Sequence, residues 1–376
     1  MQRALELAER ATGNTSPNPL VGAVIVHNNT IVGEGWHHRV GEAHAEVNAI
    51  ADAQSTLADL SNVTLYVTLE PCSHFGKTPP CTEAILNAGI RKVVYATSDT
   101  NHEAAGGGHT LKEAGVDVTS GIAEQQARYV NRFFFHYQQH KTPFVIAKFA
   151  SSLDGRTATR SAHSQWITGP AARQRGHVAR QAVDAIVVGA QTAVDDNPQL
   201  TVRNEQAYQH GEVSHPLRIL LDSHGRVPLS NALFDSALPS KTLVVTTQAM
   251  AKEHKTALSD KGANTLTLPA TKAGQPDLHA LMSALGDRQI QSVLVEGGNS
   301  VHGSFFDAGL VNEVWAFIAP MVIGGVNAAP SVGGVGVNLL SDAAHLSQMR
   351  VEQLDNDIFV HGLVKQGVAL SSKEAS

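Results

Sequence analysis

A chain of 376 residues exceeds the size at which one hydrophobic core usually stops growing, so two domains are expected. Hydrophobic residues at 42% and charged residues at 16% describe an ordinary globular composition and exclude a disordered chain. A formal net charge of −6 gives no basic footprint for nucleic acid, and no run of roughly 18 apolar residues offers a membrane span.

In chain order, residues 1–10 read as a charged amphipathic helix and not as a secretion signal, which makes the cytoplasm the expected compartment. Short apolar runs at 21–26, 31–37, 64–69, 93–97 and 116–119 predict strands. Segments 43–53, 82–88 and 109–114 between them predict helices, with Gly89 and Gly115 placed as stops. Strands alternating with helices indicate an α/β layer fold with a mostly parallel sheet. A long helix is expected over 123–139. The polar segment 138–143 then precedes a new strand at 144–149, so the boundary falls near residue 141 and divides the chain into 1–141 and 142–376. The second part repeats the α/β pattern, with strands at 185–189, 217–222, 243–247, 292–296 and 313–319.

The chemistry of the first part is carried by few residues. His44 and Glu46 lie two positions apart, and Glu70-Pro71-Cys72 is followed after eight residues by Cys81. Cys72 and Cys81 are the only cysteines, too few for a disulfide framework, and in a reducing compartment such a pair is more often metal-binding or catalytic. Zinc takes nitrogen and sulfur ligands, and a catalytic site keeps three of them with a fourth position for water. His44, Cys72 and Cys81 meet that count. Zinc lowers the pKa of a water it holds to roughly 7, and Glu46, left off the metal, is placed to shuttle a proton to a leaving amine. Zinc deaminases combine a His-x-Glu with Pro-Cys-x-x-Cys, but here the cysteines are farther apart. A structural zinc site with His74 as fourth ligand, or a Cys72–Cys81 disulfide, uses the same residues. An RNA base deaminase is a further reading, which the acidic balance and a pI near 6.3 disfavour.

The string Val67-Thr68-Leu69-Glu70-Pro71-Cys72-Ser73-His74-Phe75-Gly76-Lys77-Thr78-Pro79-Pro80-Cys81 resembles the bifunctional deaminase/reductase family of riboflavin biosynthesis, in which the longer cysteine spacing is usual. The resemblance continues in Ser16-Pro17-Asn18-Pro19-Leu20-Val21-Gly22, Ser151-Ser152-Leu153-Asp154-Gly155-Arg156, Ser164-Gln165-Trp166-Ile167-Thr168, Asp195-Asp196-Asn197-Pro198, Glu296-Gly297-Gly298 and Ala319-Pro320. It implies a cytidine-deaminase-like α/β/α domain followed by a dihydrofolate-reductase-like α/β domain that binds NADPH. It also implies small phosphorylated pyrimidine substrates, with neither nucleic acid nor membrane as partner, and self-association.

Carried over residue by residue, the deaminase pocket would use Asn18, His37, His74, Lys77, Asp99 and Asn101. Asn18 can pair with a ring amide edge and Lys77 can meet a phosphate. Without the resemblance, Asn18 is a turn residue between two prolines and Lys77 an ordinary loop lysine. Residues 100–108 depart from the family, whose loop carries prolines and a Gly-x-Gly, so a changed loop shape is expected there. In the second part the nucleotide would contact Ala150, Trp166, Thr192, Asp196, Ser223 and the turn Gly298, Asn299, Ser300, Val301, His302, Gly303, Ser304. That turn suits phosphate at a helix start but lacks the Gly-x-Gly-x-x-Gly fingerprint. Reductase substrate would contact Ser164, Arg180, Leu200, Arg203 and Glu296, the two arginines suiting phosphate. On the residues alone, Trp166 is core packing, Arg180 a solvated helix face and Arg203 a loop charge. Lys148 and Asp154 lie beside this set with no step assigned.

Overall fold

The structure, a computed structural model, describes residues 1–75, 79–101, 105–203 and 213–365. The chain divides into two compact units, Met1–Lys141 and Thr142–Ser376.

The first unit runs α1 (Gln2–Glu9), β1 (Gly22–His27), β2 (Thr30–Trp36), α2 (Ala45–Gln54), β3 (Thr64–Leu69), α3 (Cys81–Asn87), β4 (Lys92–Thr97), α4 (Gly107–Glu113), β5 (Asp117–Ser120), α5 (Glu124–Val130) and α6 (Arg132–His140). Its five-stranded sheet has the order β2-β1-β3-β4-β5. Only the β3–β4 and β4–β5 pairs are parallel, and β1 runs antiparallel to both neighbours, so the expected mostly parallel sheet holds for one side only. The reason is local. Asn28 and Asn29 adopt φ of 48° and 64°, the two-residue turn with positive φ at both positions that reverses a strand tightly, so β2 returns beside β1. The core between sheet and helices is built by Ile25, Leu65, Val67 and Val93 with Ala49 and Ile85. Gly35 lets α2 lie close on β2, since a Cβ there would sit 2.3 Å from the Ala49 nitrogen.

The single helix expected over 123–139 is broken at Asn131. This buried side chain accepts from the Leu20 N–H at 2.7 Å and donates to the Leu20 carbonyl at 2.8 Å, which ties the Asn18 loop to the α5–α6 corner.

The second unit runs β6 (Phe144–Ser152), α7 (Pro170–Ala182), β7 (Ala185–Gly189), α8 (Ala190–Asp196), β8 (Leu217–Leu221), β9 (Thr242–Thr246), α9 (Lys252–Asp260), β10 (Asn264–Thr267), α10 (Leu278–Gly286), β11 (Ser292–Val295), α11 (Asn299–Asp307), β12 (Glu313–Ala319), β13 (Leu346–Leu354) and β14 (Asp357–Val364). Its nine strands are ordered β10-β9-β8-β7-β11-β6-β12-β14-β13. Pairing is parallel from β10 to β12 and antiparallel through the closing β14 and β13. The central strands β7 and β11 are buried along their whole length and mostly apolar, as strands covered on both faces are. From β6 the chain steps outward through β7, β8, β9 and β10, then returns to insert β11 between β7 and β6. Such a reversal opens a crevice at the carboxyl ends of the strands, where ligands bind in open α/β sheets. No helix among the described residues is long and apolar enough to cross a membrane.

Candidate functional site

In the first unit the donors converge from three elements. His44 is the N-cap of α2, Cys81 opens α3, and Cys72 lies in the loop that leaves β3. The His44 Nδ1 is 3.1 Å from the Cys81 Sγ and 3.6 Å from the Cys72 Sγ, and the three donor atoms all lie within 4.8 Å of one another. A tetrahedral ion with bonds of about 2.0–2.3 Å spaces its ligands by about 3.5 Å, so this donor set fits zinc in both chemistry and spacing. Neither cysteine is in a disulfide. Among the described residues the donor group contains three members. His74 is not one of them, and its buried Nδ1 has no hydrogen-bond partner among the described residues. Three protein ligands are the complement of a catalytic zinc site, whereas a closed structural site takes four.

The electrostatics follow from the packing. A hydrogen bond from Cys81 and the neighbouring His44 hold the Cys72 thiol down at about 4, while that same bond and burial push Cys81 up. The His44 imidazole is raised by its bond to Cys72. Glu46, buried in the first turn of α2 and hydrogen-bonded to Cys81, is pushed up to about 7 by burial. A carboxyl in that range can take up and release a proton near neutral pH.

Around this cluster, the Asn18 amide donates to the His37 Nε2 at 3.1 Å, and the His37 Nδ1 donates to the Ala43 carbonyl at 3.1 Å. Burial lowers His37, which suits a neutral ring that accepts from Asn18. His37 stands edge-on to His44, with ring centroids 5.4 Å apart. Asp99 and Asn101 sit on the loop after β4, where Asn101 N–H donates to Asp99 at 2.8 Å. Burial raises Asp99 to about 6, and Glu70, Cys72 and His74 lie in its electrostatic reach. Lys77 lies outside the described residues. The sequence reading gave Glu70 no role, yet it ties the site together: its carboxylate accepts from Asp99 N–H at 3.2 Å and from Gly108 N–H at 3.0 Å. Residues 102–104 of the departing loop lie outside the described residues, and Gly107 and Gly108 at its end lie against the metal loop. Gly107 permits it, because a Cβ there would overlap the Pro71 carbonyl at 1.7 Å.

In the second unit a cleft of about 1480 Å3 opens over the strand ends. Pockets for one drug-sized ligand run to about 1,000 Å3, so this volume suits a dinucleotide and a second molecule together. Ala150, Trp166, Thr192, Asp196 and Ser223 line it, with Gly298, Asn299, Ser300, Val301, His302 and Ser304 of the α11 turn. Gly303 does not, and faces the backbone of Gly333 and Gly334. Ser164, Arg180, Leu200, Arg203 and Glu296 line the same cleft. The Gly298 N–H donates to Thr192 Oγ1 at 3.0 Å, which joins the α8 and α11 starts. Trp166 is 68% exposed under the Arg173 guanidinium, so core packing is excluded for it.

Arg180 is not a solvated helix face: it is largely buried, lines the cleft and pairs with an acidic side chain there. Its guanidinium donates to both Glu296 oxygens at 2.8 Å. Lys148 stands 4.0 Å from the same carboxylate. Burial opposes charge on Glu296, but Arg180 and Lys148 outweigh it and hold its pKa at about 2. Arg203, bonded to Gln199, lines the same cleft. His177, which the motif reading did not single out, lines the cleft beside the expected His302, each with a buried Nδ1 that lacks a partner among the described residues. Burial holds both at about 4, hence neutral. Asp154 is a structural tie, accepting from Ser152, Ile323 and Gly324.

Comparison with known proteins supports both halves. A family model described as the cytidine and deoxycytidylate deaminase zinc-binding region matches residues 1–97, and one described as the RibD C-terminal domain matches residues 143–360. The riboflavin biosynthesis protein RibD of Bacillus amyloliquefaciens is 43% identical, covering 98% of this chain and 96% of its own. That of Escherichia coli strain K12 is 38% identical, covering 96% of this chain and 97% of its own. The solved Acinetobacter baumannii RibD (form 1) superposes with a TM-score of 0.83 at 36% identity, covering 97% of this chain and 98% of that one. The Thermotoga maritima diaminohydroxyphosphoribosylaminopyrimidine deaminase/5-amino-6-(5-phosphoribosylamino)uracil reductase does so with a TM-score of 0.84 at 34% identity, covering 97% of each chain. The chain belongs to the RibD family of riboflavin biosynthesis proteins, which join a zinc-binding deaminase to a reductase.

Proposed function

We propose that residues 1–141 deaminate 2,5-diamino-6-(5-phosphoribosylamino)pyrimidin-4(3H)-one, and that residues 142–376 then reduce the ribosyl side chain of 5-amino-6-(5-phosphoribosylamino)uracil to ribityl with NADPH. The observation that carries the first step is the convergence of the His44, Cys72 and Cys81 donors beside the buried Glu46. His44, Cys72 and Cys81 would hold a zinc ion, which when bound would acidify a water to a pKa of roughly 7 and so make an attacking oxygen available at neutral pH. Glu46 takes a proton at its carboxylate and returns it to the departing amino nitrogen, so that ammonia leaves and a ring carbonyl remains. Asn18, held by His37, reads the ring edge. His74, Asp99 and Asn101 bound the pocket, and Lys77 meets the phosphate.

In the cleft, NADPH supplies the hydride, and the protein positions both partners. Thr192, Ser223, Gly298–His302 and Ser304 cradle the nucleotide, with Gly303 packed behind them and Ala150, Trp166 and Asp196 along its length. Ser164, Leu200 and Arg203 hold the substrate and its phosphate, while Arg180 holds Glu296 as a carboxylate facing it. The protein works in the cytoplasm, without nucleic acid, as a homo-oligomer. The family resemblance supports self-association, as do the exposed Val322, Val326, Val335, Leu340, Met349 and Val351. Stripping the metal with a chelator tests the assignment of steps to units: ammonia release is lost, and NADPH-dependent reduction of the already deaminated substrate continues. Loss of both activities together would refute it.

A further inference from the structure

One side chain of the reductase cleft has no task so far. His177 lines it from the middle of α7, on the same helix face as Arg180 one turn later. Its neighbour Gly176 lies against Lys148 of β6, where a Cβ would stand 3.8 Å from the Lys148 Cε. His177 thus stands beside the two cations that flank Glu296.

Among the described residues His177 has no hydrogen bond and no ion pair, and its Nδ1 is buried. An orphan of this kind is rare in a folded chain and calls for an explanation. A buried N–H left unpaired is the rarer orphan, so Nδ1 is the bare nitrogen and the ring proton sits on Nε2. With Nδ1 closed off, the cleft meets the ring at its Nε2 edge, which offers one N–H. Burial first, and Arg180 after it, keep the ring uncharged. Phosphate favours a charged donor, whereas a neutral N–H suits an uncharged oxygen such as a sugar hydroxyl.

We propose that His177 is a specificity-determining residue of the reductase, donating from Nε2 to a hydroxyl on the sugar chain of the phosphorylated pyrimidine substrate. The proposal rests on the reading of this cleft as the reductase site. The full-length protein tests it as wild type, His177→Leu and His177→Gln. Each is assayed for NADPH oxidation with the deaminated aminouracil ribosyl phosphate and with its phosphate-free counterpart. Loss of one neutral hydrogen bond should raise KM about 3- to 10-fold in His177→Leu and leave kcat within about twofold. His177→Gln should recover most of the loss, because its amide carries a neutral N–H to a similar reach. Ammonia release from the diamino substrate and calorimetric binding of NADPH should match the wild type in both variants, which sets a lost contact apart from a damaged fold. The KM ratio of His177→Leu to wild type should persist on the phosphate-free compound. A ratio that vanishes there makes the contact a phosphate contact and overturns the assignment. So does an unchanged KM, a fall in kcat alone, weaker NADPH binding, or a His177→Gln protein no better than His177→Leu. A wild type that reduces neither compound overturns the reading of the cleft itself.

Discussion

Replacing Arg180 with Met isolates the charge pair that shapes the reductase cleft. Glu296 is buried and takes both of its close bonds from Arg180, with only Lys148 left at 4.0 Å once the guanidinium is gone. Removing one partner of a buried pair typically costs about 3–5 kcal/mol, because the remaining charge is uncompensated. Lys148 should hold the loss toward the lower end.

The pH dependence separates this from generic destabilisation. In the wild type the Glu296 pKa is depressed from 4.5 to about 2. Its contribution is thus complete above about pH 4.5 and fades only as pH falls toward 2. Without Arg180, burial dominates and raises the folded pKa. Stability from this group is then present below the unfolded pKa and is lost as pH rises. Between pH 7 and 5, therefore, the wild type should be flat for this group, and Arg180→Met should gain stability as the medium is acidified. Urea titrations read from peptide-level amide protection of β11 report on this unit by itself. The double variant Arg180→Met/Glu296→Gln should be more stable at pH 7 than Arg180→Met. A loss below about 1 kcal/mol, or a variant with the wild-type pH slope, would refute the reasoning.

Two other perturbations address the first unit. Glu46→Gln should keep its zinc, measured by metal analysis, and lose about 10²–10⁴-fold in ammonia release, since proton relay is removed while His44, Cys72 and Cys81 remain. Asn131→Ala should cost about 1–3 kcal/mol by leaving the Leu20 N–H and carbonyl unpaired. It should also raise the deaminase KM more than it lowers kcat, because the Asn18 loop loses its anchor. Equal effects on both constants would count against a positioning role.

What could be read in advance was what repeats locally or belongs to a long motif. The donor trio was legible because the only two cysteines follow a Pro71-Cys72 at a strand end. The central strands of both sheets were legible as apolar runs. The break at Asn131 was not, because it depends on a bond to Leu20 across 111 positions. The β2 hairpin carried a signal in Asn28-Asn29 that the expectation of a parallel sheet overrode. The β13–β14 hairpin was missed, and β13 is largely solvent-facing and polar with little apolar pattern to detect. The pairing of Arg180 with Glu296 was not legible, because the two lie 116 residues apart. Glu70 stood in the motif itself, but its role is to accept two backbone N–H groups from later loops, which no spacing reveals.

The most direct test of a deaminase followed by a reductase on one chain is NADPH oxidation by the purified, zinc-loaded protein after addition of the diaminopyrimidinone ribosyl phosphate. NADPH should be consumed together with ammonia release. Glu46→Gln should stay silent on that substrate, yet oxidise NADPH when given the deaminated aminouracil phosphate. Oxidation of NADPH by the diamino compound without ammonia release, or none with either substrate, would contradict the account.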